Sequence, residues 1–185
     1  MIGRDVPVGA PLALSALLSL AVGLVLLPAP AFAATPALPV TEQARLYLQG
    51  AKGVRADLPR AFALYSRAAK EGDATAAYQL GLMYRDGMAV ERDPVEGARW
   101  LQLAANAQVP SAMLALARMH LAGDGVERDD EAARHLIEKA ADLDYPEAVM
   151  AMAIGLRDGS MGFERNEALA AIQLRLANRA IGQGR

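Results

Sequence analysis

The sequence predicts an all-α protein, an α-solenoid of about four helix-turn-helix repeats. Aromatic residues make up only 5% of the 185 residues, and the abundant alanine favours thin, closely packed helices over a sheet with bulky cross-strand pairs. A shift of 36 residues also superimposes much of the chain on itself. A fixed period of about this length is typical of a solenoid, in which each unit buries its apolar face against the next.

The composition excludes several other classes of protein. With 54% hydrophobic residues the chain can bury a core, which excludes an intrinsically disordered protein. The formal net charge is −2, and no lysine or arginine cluster supplies the basic face that nucleic-acid binding requires. Cysteine is absent, which excludes a disulfide framework, a thiolate metal site and a cysteine nucleophile.

Residues 1–33 have the features of a bacterial signal peptide. Residues 12–27 form an uncharged apolar run, and Ala31-Phe32-Ala33 follows it as an A-x-A cleavage site. We therefore expect cleavage after Ala33, an extended lead-in over residues 34–40, and a mature protein that is periplasmic or secreted. The alternative is an uncleaved membrane anchor, although two prolines upstream of the run disfavour a longer apolar helix.

Four units follow the lead-in, and we place them at residues 41–75, 76–111, 112–147 and 148–185. The 36-residue shift superimposes an alanine and an aspartate of successive units, namely Ala76, Ala112 and Ala148, and Asp57, Asp93 and Asp129. The first and fourth units each carry one additional loop residue, and the fourth has Asn166 at the aspartate position.

Each unit is predicted to contain two antiparallel helices, A and B. In the second unit, the residues on one side of helix A are Ala77, Leu80, Gly81 and Tyr84. Gly87 ends this helix, because glycine tolerates the left-handed conformation past a helix end. A loop of five to eight residues then leads to helix B.

Helix B of the second unit begins with a capping sequence. Asp93 is the expected N-cap, Pro94 occupies the first helical position, and Glu96 completes a capping box. The equivalent caps in the other units are Asp57, Asp129 and Asn166. The expected buried stripe of this helix is Gly97, Trp100, Leu101 and Ala104.

The last helix is expected to run from Glu167 to about Ile181, with no further helix to cover its outer face. If Ile172 and Leu176 are exposed there, dimerisation or partner docking at this end of the solenoid would follow.

The combined motif of the second unit resembles a known repeat. It reads Ala77-x-x-Leu80-Gly81-x-x-Tyr84-x-x-Gly87, followed by Val90-x-x-Asp93, Trp100 and Ala104-Ala105. This pattern resembles the Sel1-like repeat, a branch of the tetratricopeptide-like solenoids, and the resemblance covers residues 41 to about 183. It implies a right-handed superhelix that acts as an adaptor, holding another protein or peptide. Some exported family members were described as hydrolases of cell-wall-related ligands, but their repeats are cysteine-bridged and this chain differs from them.

In the family's architecture, one face of each helix A lines a concave groove. The matching positions are Arg45, Leu48, Tyr78, Leu82, Arg85, Leu114, Arg118, Leu121, Met150, Ile154 and Arg157. Leucine, methionine and tyrosine suit an apolar peptide anchor, and one arginine per unit suits bidentate binding of carboxylates. The alternative interpretation is that Arg85 and Arg157 pair with the adjacent aspartates, and that the apolar residues pack between units.

No catalytic or metal site can be assembled from the sequence, so we expect no cofactor. The only two histidines are His120, at the tyrosine position of helix A, and His135. Four methionines of the kind that hold copper in exported proteins are better explained as core residues: Met113, Met119, Met150 and Met152. A group of aspartates lacks the spacing of a calcium loop and fits turn and cap roles: Asp124, Asp129 and Asp130. Three serines lack the partners of a nucleophile: Ser66, Ser111 and Ser160.

Two functions remain open at this point. The favoured one is a non-enzymatic adaptor or regulator, which binds a partner protein or peptide of the cell envelope and no nucleic acid. The alternative is a periplasmic hydrolase or binding protein for a cell-wall or β-lactam-like ligand. As an enzyme, that alternative requires a nucleophile or water-activating base that these residues do not supply.

Overall fold

The computed structural model describes residues 38–50 and 53–183, and this part of the chain is built from α-helices. Its eight helices are α1 (Val40–Gln49), α2 (Leu58–Lys70), α3 (Ala74–Asp86), α4 (Pro94–Asn106), α5 (Pro110–Ala122), α6 (Asp130–Asp142), α7 (Pro146–Asp158) and α8 (Glu167–Gln183). None of the described helices is both long and apolar enough to cross a membrane. The predicted signal peptide, its cleavage site and most of the lead-in lie outside the described residues.

The helices form a solenoid, and the predicted fold class is confirmed. Each helix makes its main contacts with the helices before and after it in sequence, so the chain advances as four antiparallel pairs. Odd-numbered helices are the predicted A helices and even-numbered ones the B helices. Helix α8 ends at Gln183, slightly beyond the predicted end.

The predicted N-caps of the B helices are confirmed in all four units. In the second unit, the carboxylate of Asp93 accepts a hydrogen bond of 3.0 Å from the backbone N–H of Glu96. The other three caps bond in the same way to the backbone N–H three residues on, and they are Asp57, Asp129 and Asn166. Capping of this kind satisfies a backbone donor that has no partner within its own helix.

The predicted capping box at Glu96 is wrong. The backbone N–H of Asp93 donates instead to the carbonyl of Tyr84, at 2.9 Å, near the end of helix α3. The Glu96 carboxylate accepts a hydrogen bond from Arg99. The same backbone link recurs in every unit, where the cap N–H bonds a carbonyl of the preceding A helix: Asp57 to Tyr47, Asp129 to His120 and Asn166 to Leu156. This link joins the two helices of a unit, which leaves the glutamate nothing to cap.

The A helices begin earlier than the unit boundaries that the sequence suggested. Helices α3, α5 and α7 start at residues 74, 110 and 146, two residues before those boundaries. Asp73 caps α3 by accepting a 2.9 Å hydrogen bond from the N–H of Ala76, while Pro110 and Pro146 open α5 and α7. The superposed alanines therefore established the period of the repeat but not its phase.

Small residues allow close packing within a unit. The helices α3 and α4 cross at Gly81 and Gly97, where a Cβ on Gly97 would lie 2.8 Å from the carbonyl oxygen of Gly81. In the other units, buried alanines occupy the positions equivalent to these two glycines: Ala44, Ala117 and Ala153 for Gly81, and Ala61, Ala133 and Ala170 for Gly97. The superposed Ala76, Ala112 and Ala148 are fully buried as well. Of the predicted stripe of α4, Gly97, Leu101 and Ala104 are buried and Trp100 is half-buried.

Successive units meet through a glycine in the loop between helices A and B. Gly125, with φ of 75°, lies against the first residue of α4, so that a Cβ there would be 2.2 Å from the carbonyl oxygen of Pro94. Gly162 lies in the same way against Asp130, the first residue of α6. In the second unit this position is Ala89, which also has a positive φ of 66°.

Candidate functional site

The groove positions predicted from the sequence lie on the odd-numbered helices, and their arginines differ in what they bind. Arg85 forms two hydrogen bonds with the carboxylate of Asp86, at 2.7 and 2.8 Å. Arg157 bonds Asp158 in the same bidentate way, and these hydrogen bonds lower the pKa of the Asp158 carboxyl. These are the pairs that the alternative interpretation predicted, so both guanidinium groups are already engaged.

Arg45 is engaged as well, since it donates to both carboxylate oxygens of Glu42 within helix α1. Arg118, on α5, is exposed and forms no salt bridge with a carboxylate among the described residues. Of the four predicted groove arginines, Arg118 is therefore the one whose guanidinium remains available within the described part of the chain.

Tyr145 lies within electrostatic range of both Arg118 and Tyr78. Tyr145 precedes α7 and is half-buried, and burial raises the pKa of its hydroxyl. Glu147 and Tyr78 raise that pKa further, whereas the positive charge of Arg118 lowers it. Electrostatic coupling of this kind requires proximity. Tyr145, in the turn before α7, is therefore near both Tyr78 of α3 and Arg118 of α5.

The apolar groove positions contribute unequally to that surface. Leu114 is only 4% exposed and belongs to the core cluster against which Leu121 and Tyr145 pack. It therefore packs between units and does not present a side chain to a ligand. Five others are half-buried, namely Leu48, Tyr78, Leu82, Leu121 and Met150, and Ile154 is exposed.

Tyr145 was not among the positions predicted from the sequence. The equivalent turn positions are Asp73 and Val109, so the repeat pattern shows no conserved chemistry there. The available signal was an aromatic side chain immediately before Pro146, because a residue before proline is extended and its side chain is held at a fixed helix start.

The remaining candidate side chains have structural roles. Asp124 pairs with Arg92 at 2.6 Å, Asp129 caps α6, and Asp130 pairs with Arg128, as expected for turn and cap residues. The half-buried His120 ring contacts the carbonyl of Glu127 in the following loop, at 3.2 Å. Met113 and Met119 are buried in the core. Within the described ranges, no three histidine, aspartate or glutamate side chains are arranged to hold a metal ion.

A family model identifies the repeats. The Sel1 repeat model matches residues 44–73, 74–109 and 110–145, which together make up more than half of the chain. The chain belongs to the Sel1 repeat family. The match begins its second and third units at the first residues of α3 and α5, in agreement with the helix starts. The fourth Sel1-like unit, α7 and α8, continues the same architecture.

Solved structures of Sel1 repeat proteins resemble this one. A Sel1 repeat protein from Oxalobacter formigenes has a TM-score of 0.71 and 26% identity, over 76% of this chain and 57% of that chain. The protein c5321 is a protective antigen of uropathogenic Escherichia coli strains with the same repeat fold. It has a TM-score of 0.70 and 27% identity, over 76% of this chain and 30% of that chain.

Cysteine rich protein B of Helicobacter pylori shares the fold, with a TM-score of 0.51 and 21% identity over 59% of this chain and 86% of that chain. The chain spans little more than half of the Oxalobacter protein and under a third of c5321. A search of curated proteins gave no significant match. The chain therefore has the helical-repeat fold of the Sel1 repeat family.

Proposed function

We propose that the protein is an exported adaptor that holds an acidic segment of another cell-envelope protein, with Arg118 binding a carboxylate of that segment. The observation that carries this proposal is the unequal pairing of the groove arginines. Arg45, Arg85 and Arg157 already hold carboxylates of their own chain. An incoming carboxylate would have to displace these partners, whereas Arg118 has none to lose among the described residues.

The surroundings of Arg118 suit an acidic peptide. A guanidinium binds a carboxylate through two parallel hydrogen bonds, and this geometry fixes the orientation of the ligand. A tyrosine hydroxyl is protonated at neutral pH, so the Tyr145 hydroxyl is available as a hydrogen-bond donor. Half-buried Tyr78 supplies apolar surface for the neighbouring residues of the peptide. Of the predicted binding arginines, one per unit, only Arg118 is thus assigned to carboxylate binding.

The experiment compares three substitutions in the exported protein. Arg118→Gln removes the available guanidinium, Arg85→Gln removes a paired one of the same face, and Arg67→Gln removes an exposed arginine of helix α2. Each variant, with an affinity tag, is crosslinked in its native envelope and its bound proteins are identified by mass spectrometry. Thermal unfolding by circular dichroism checks that each variant is folded.

We expect a specific partner that is lost with Arg118→Gln and kept with the other two variants. Binding should also weaken with salt, because an exposed ion pair is screened. A partner retained by all three variants would contradict the role of Arg118. A folded protein that captures no partner would contradict the adaptor and favour a small ligand of the cell wall.

Export is the second part of the proposal, and it rests on the apolar run at residues 12–27 and on Ala31-Phe32-Ala33. The test is the intact mass of the protein recovered from the periplasm or the medium. A chain that begins at Ala34 is the expected result. A chain that keeps residues 1–33 in the membrane fraction would indicate an anchor, and recovery from the cytoplasm would contradict export.

A further inference from the structure

The C-terminal end of the solenoid exposes a position that is buried in every other unit. Leu174 of α8 is 41% exposed, whereas its equivalents Tyr65, Leu101 and Ile137 are at most 1% exposed. Each of those three lies in a B helix that is followed by another unit. Leu174 is therefore uncovered at a position that is buried wherever another unit follows within the described residues.

That contact has a defined geometry inside the chain. Between the first and second units, the rings of Phe62 and Tyr84 meet edge to face, with centroids 5.4 Å apart. Ala69 and Ala77 line one small pocket between the same two units. Ala105 and Met113 are the equivalent pair between the second and third units, and they also line a common pocket. The first two junctions thus use the same B-helix position, Ala69 and Ala105, against the next A helix.

The equivalents of these receiving positions in the last unit are open. Ala171 corresponds to Phe62, and Asn178 corresponds to Ala69 and Ala105; both are exposed. A pocket of about 720 Å³ lies between α7 and α8, and its lining includes Ile154, Ala171 and Leu174. This end is shaped to receive one more A helix.

The N-terminal end carries the complementary half. Val40 of α1 corresponds to Ala77 and Met113, and Tyr47 corresponds to Tyr84; both are half-buried. Gly53 corresponds to Gly125, which lies against the first residue of the preceding B helix. Gly53 has φ of 92°, and a Cβ on Gly53 would meet nothing within 4 Å. The first unit therefore retains these features, and no described helix precedes it.

We propose that the two ends bind each other between molecules, so that helix α1 of a second copy packs on α7 and α8 as a fifth A helix. Such an assembly would continue the contact between units, which the described residues form three times, between α2 and α3, α4 and α5, and α6 and α7. The outer surfaces of α1 and of the α7–α8 pair supply its two sides. In the assembly, Val40 lies beside Asn178 of the other copy, and Tyr47 lies over Ala171. Such a contact is heterologous, so copies add head to tail and the association does not close at two chains.

Three substitutions block the two ends separately, two of them at the C-terminal end and one at the N-terminal end. Leu174→Glu places a charge at the open C-terminal end, and Asn178→Arg serves as a second blocking variant because Asn178 is exposed and can be changed without disturbing the fold. Val40→Asp places a charge at the start of α1, where a carboxylate is compatible with the helix. Far-ultraviolet circular dichroism checks that each variant keeps its helices.

Sedimentation velocity over a range of concentrations measures the association of the mature protein, which begins at Ala34. We expect the unsubstituted protein to form species of increasing size, and each blocked variant alone to stay at the mass of one chain. A mixture of Leu174→Glu and Val40→Asp should form dimers and nothing larger, because each variant keeps one intact end and the two intact ends are complementary.

Three results would overturn the proposal. An unsubstituted protein that remains a monomer at all concentrations shows that the ends do not bind. Association that persists with Val40→Asp alone indicates a symmetric contact between two C-terminal ends, which the exposed Ile172 and Leu176 would then form. Association that persists equally in all variants indicates that another part of the chain is responsible.

Discussion

Replacing Gly125 by alanine should destabilise the protein far more than the same change at Gly53. The two glycines occupy the same loop position in the third and first units, and both have positive φ, 75° and 92°. A Cβ at Gly125 would lie 2.2 Å from the carbonyl oxygen of Pro94, whereas a Cβ at Gly53 would meet nothing within 4 Å. The pair therefore separates the cost of the backbone conformation from the cost of the contact between units.

The magnitudes follow from these two costs. An alanine in the left-handed conformation costs roughly 1–2 kcal/mol, and this applies at both positions. Overpacking against backbone that cannot move freely adds about 1–3 kcal/mol at Gly125 alone. We expect losses in the free energy of unfolding of about 1–2 kcal/mol for Gly53→Ala and about 2–5 kcal/mol for Gly125→Ala.

Urea unfolding, followed by circular dichroism and by the fluorescence of the single tryptophan, Trp100, measures both values. The protein should be kept dilute, so that contacts between molecules do not contribute. Equal losses for the two variants would show that the loop at Gly125 yields at no cost. That result would refute the inference that the backbone around Gly125 and Pro94 is held rigidly where successive units meet.

Three further predictions concern single residues. Ala89→Gly should stabilise the protein by about 1 kcal/mol, because glycine adopts the positive φ of 66° at this position without the strain that alanine has there. The melting temperature should rise by about 2–4 °C. An unchanged or lower melting temperature would contradict this prediction. Asp93→Ala should cost about 1 kcal/mol in urea unfolding through loss of the α4 cap, and Glu96→Ala should cost less because its carboxylate caps nothing. Burial of the Asp73 carboxyl opposes its ionisation, but hydrogen bonds from Thr41 and from backbone N–H groups outweigh burial and lower its pKa below 3.8. The ionised Asp73 carboxylate therefore stabilises the folded protein above pH 3.8, and this contribution is lost as the pH falls through the pKa of the folded state. The difference in unfolding free energy between the protein and its Asp73→Asn variant should be constant near neutrality and shrink in acid. A difference that grows in acid would contradict the lowered pKa of Asp73.

Much of the fold follows from local patterns. The aspartate caps and helix-ending glycines could be predicted because each acts within a few residues of its own position. The capping box at Glu96 failed because the N–H of Asp93 finds a carbonyl of the preceding helix, at Tyr84, and no local pattern reports that partner. Helices α3, α5 and α7 start two residues before the suggested unit boundaries. The repeating alanines define only the period of the repeat, whereas Asp73 and the prolines define where a helix starts.

The candidate site depends more on contacts distant in sequence. The row of groove positions follows from the repeat, and the pairing of Arg85 with Asp86 was foreseen because the two are adjacent. The burial of Leu114 requires the fourth unit to pack against the third, and the proximity of Tyr145 to Arg118 requires two helices to meet. Neither can be derived from the spacing of the residues alone.

The sequence by itself determined the repeat, the alternation of helices and the residues that start and end them, because these depend on backbone geometry within one unit. Only the tertiary structure decided which arginine lacks a carboxylate partner within the described residues and which leucine lies open at the end of the solenoid. Arg118 and Leu174 are ordinary residues in the sequence. Their availability arises because pairing and burial depend on what the neighbouring units place beside them, and among the described residues no helix follows α8.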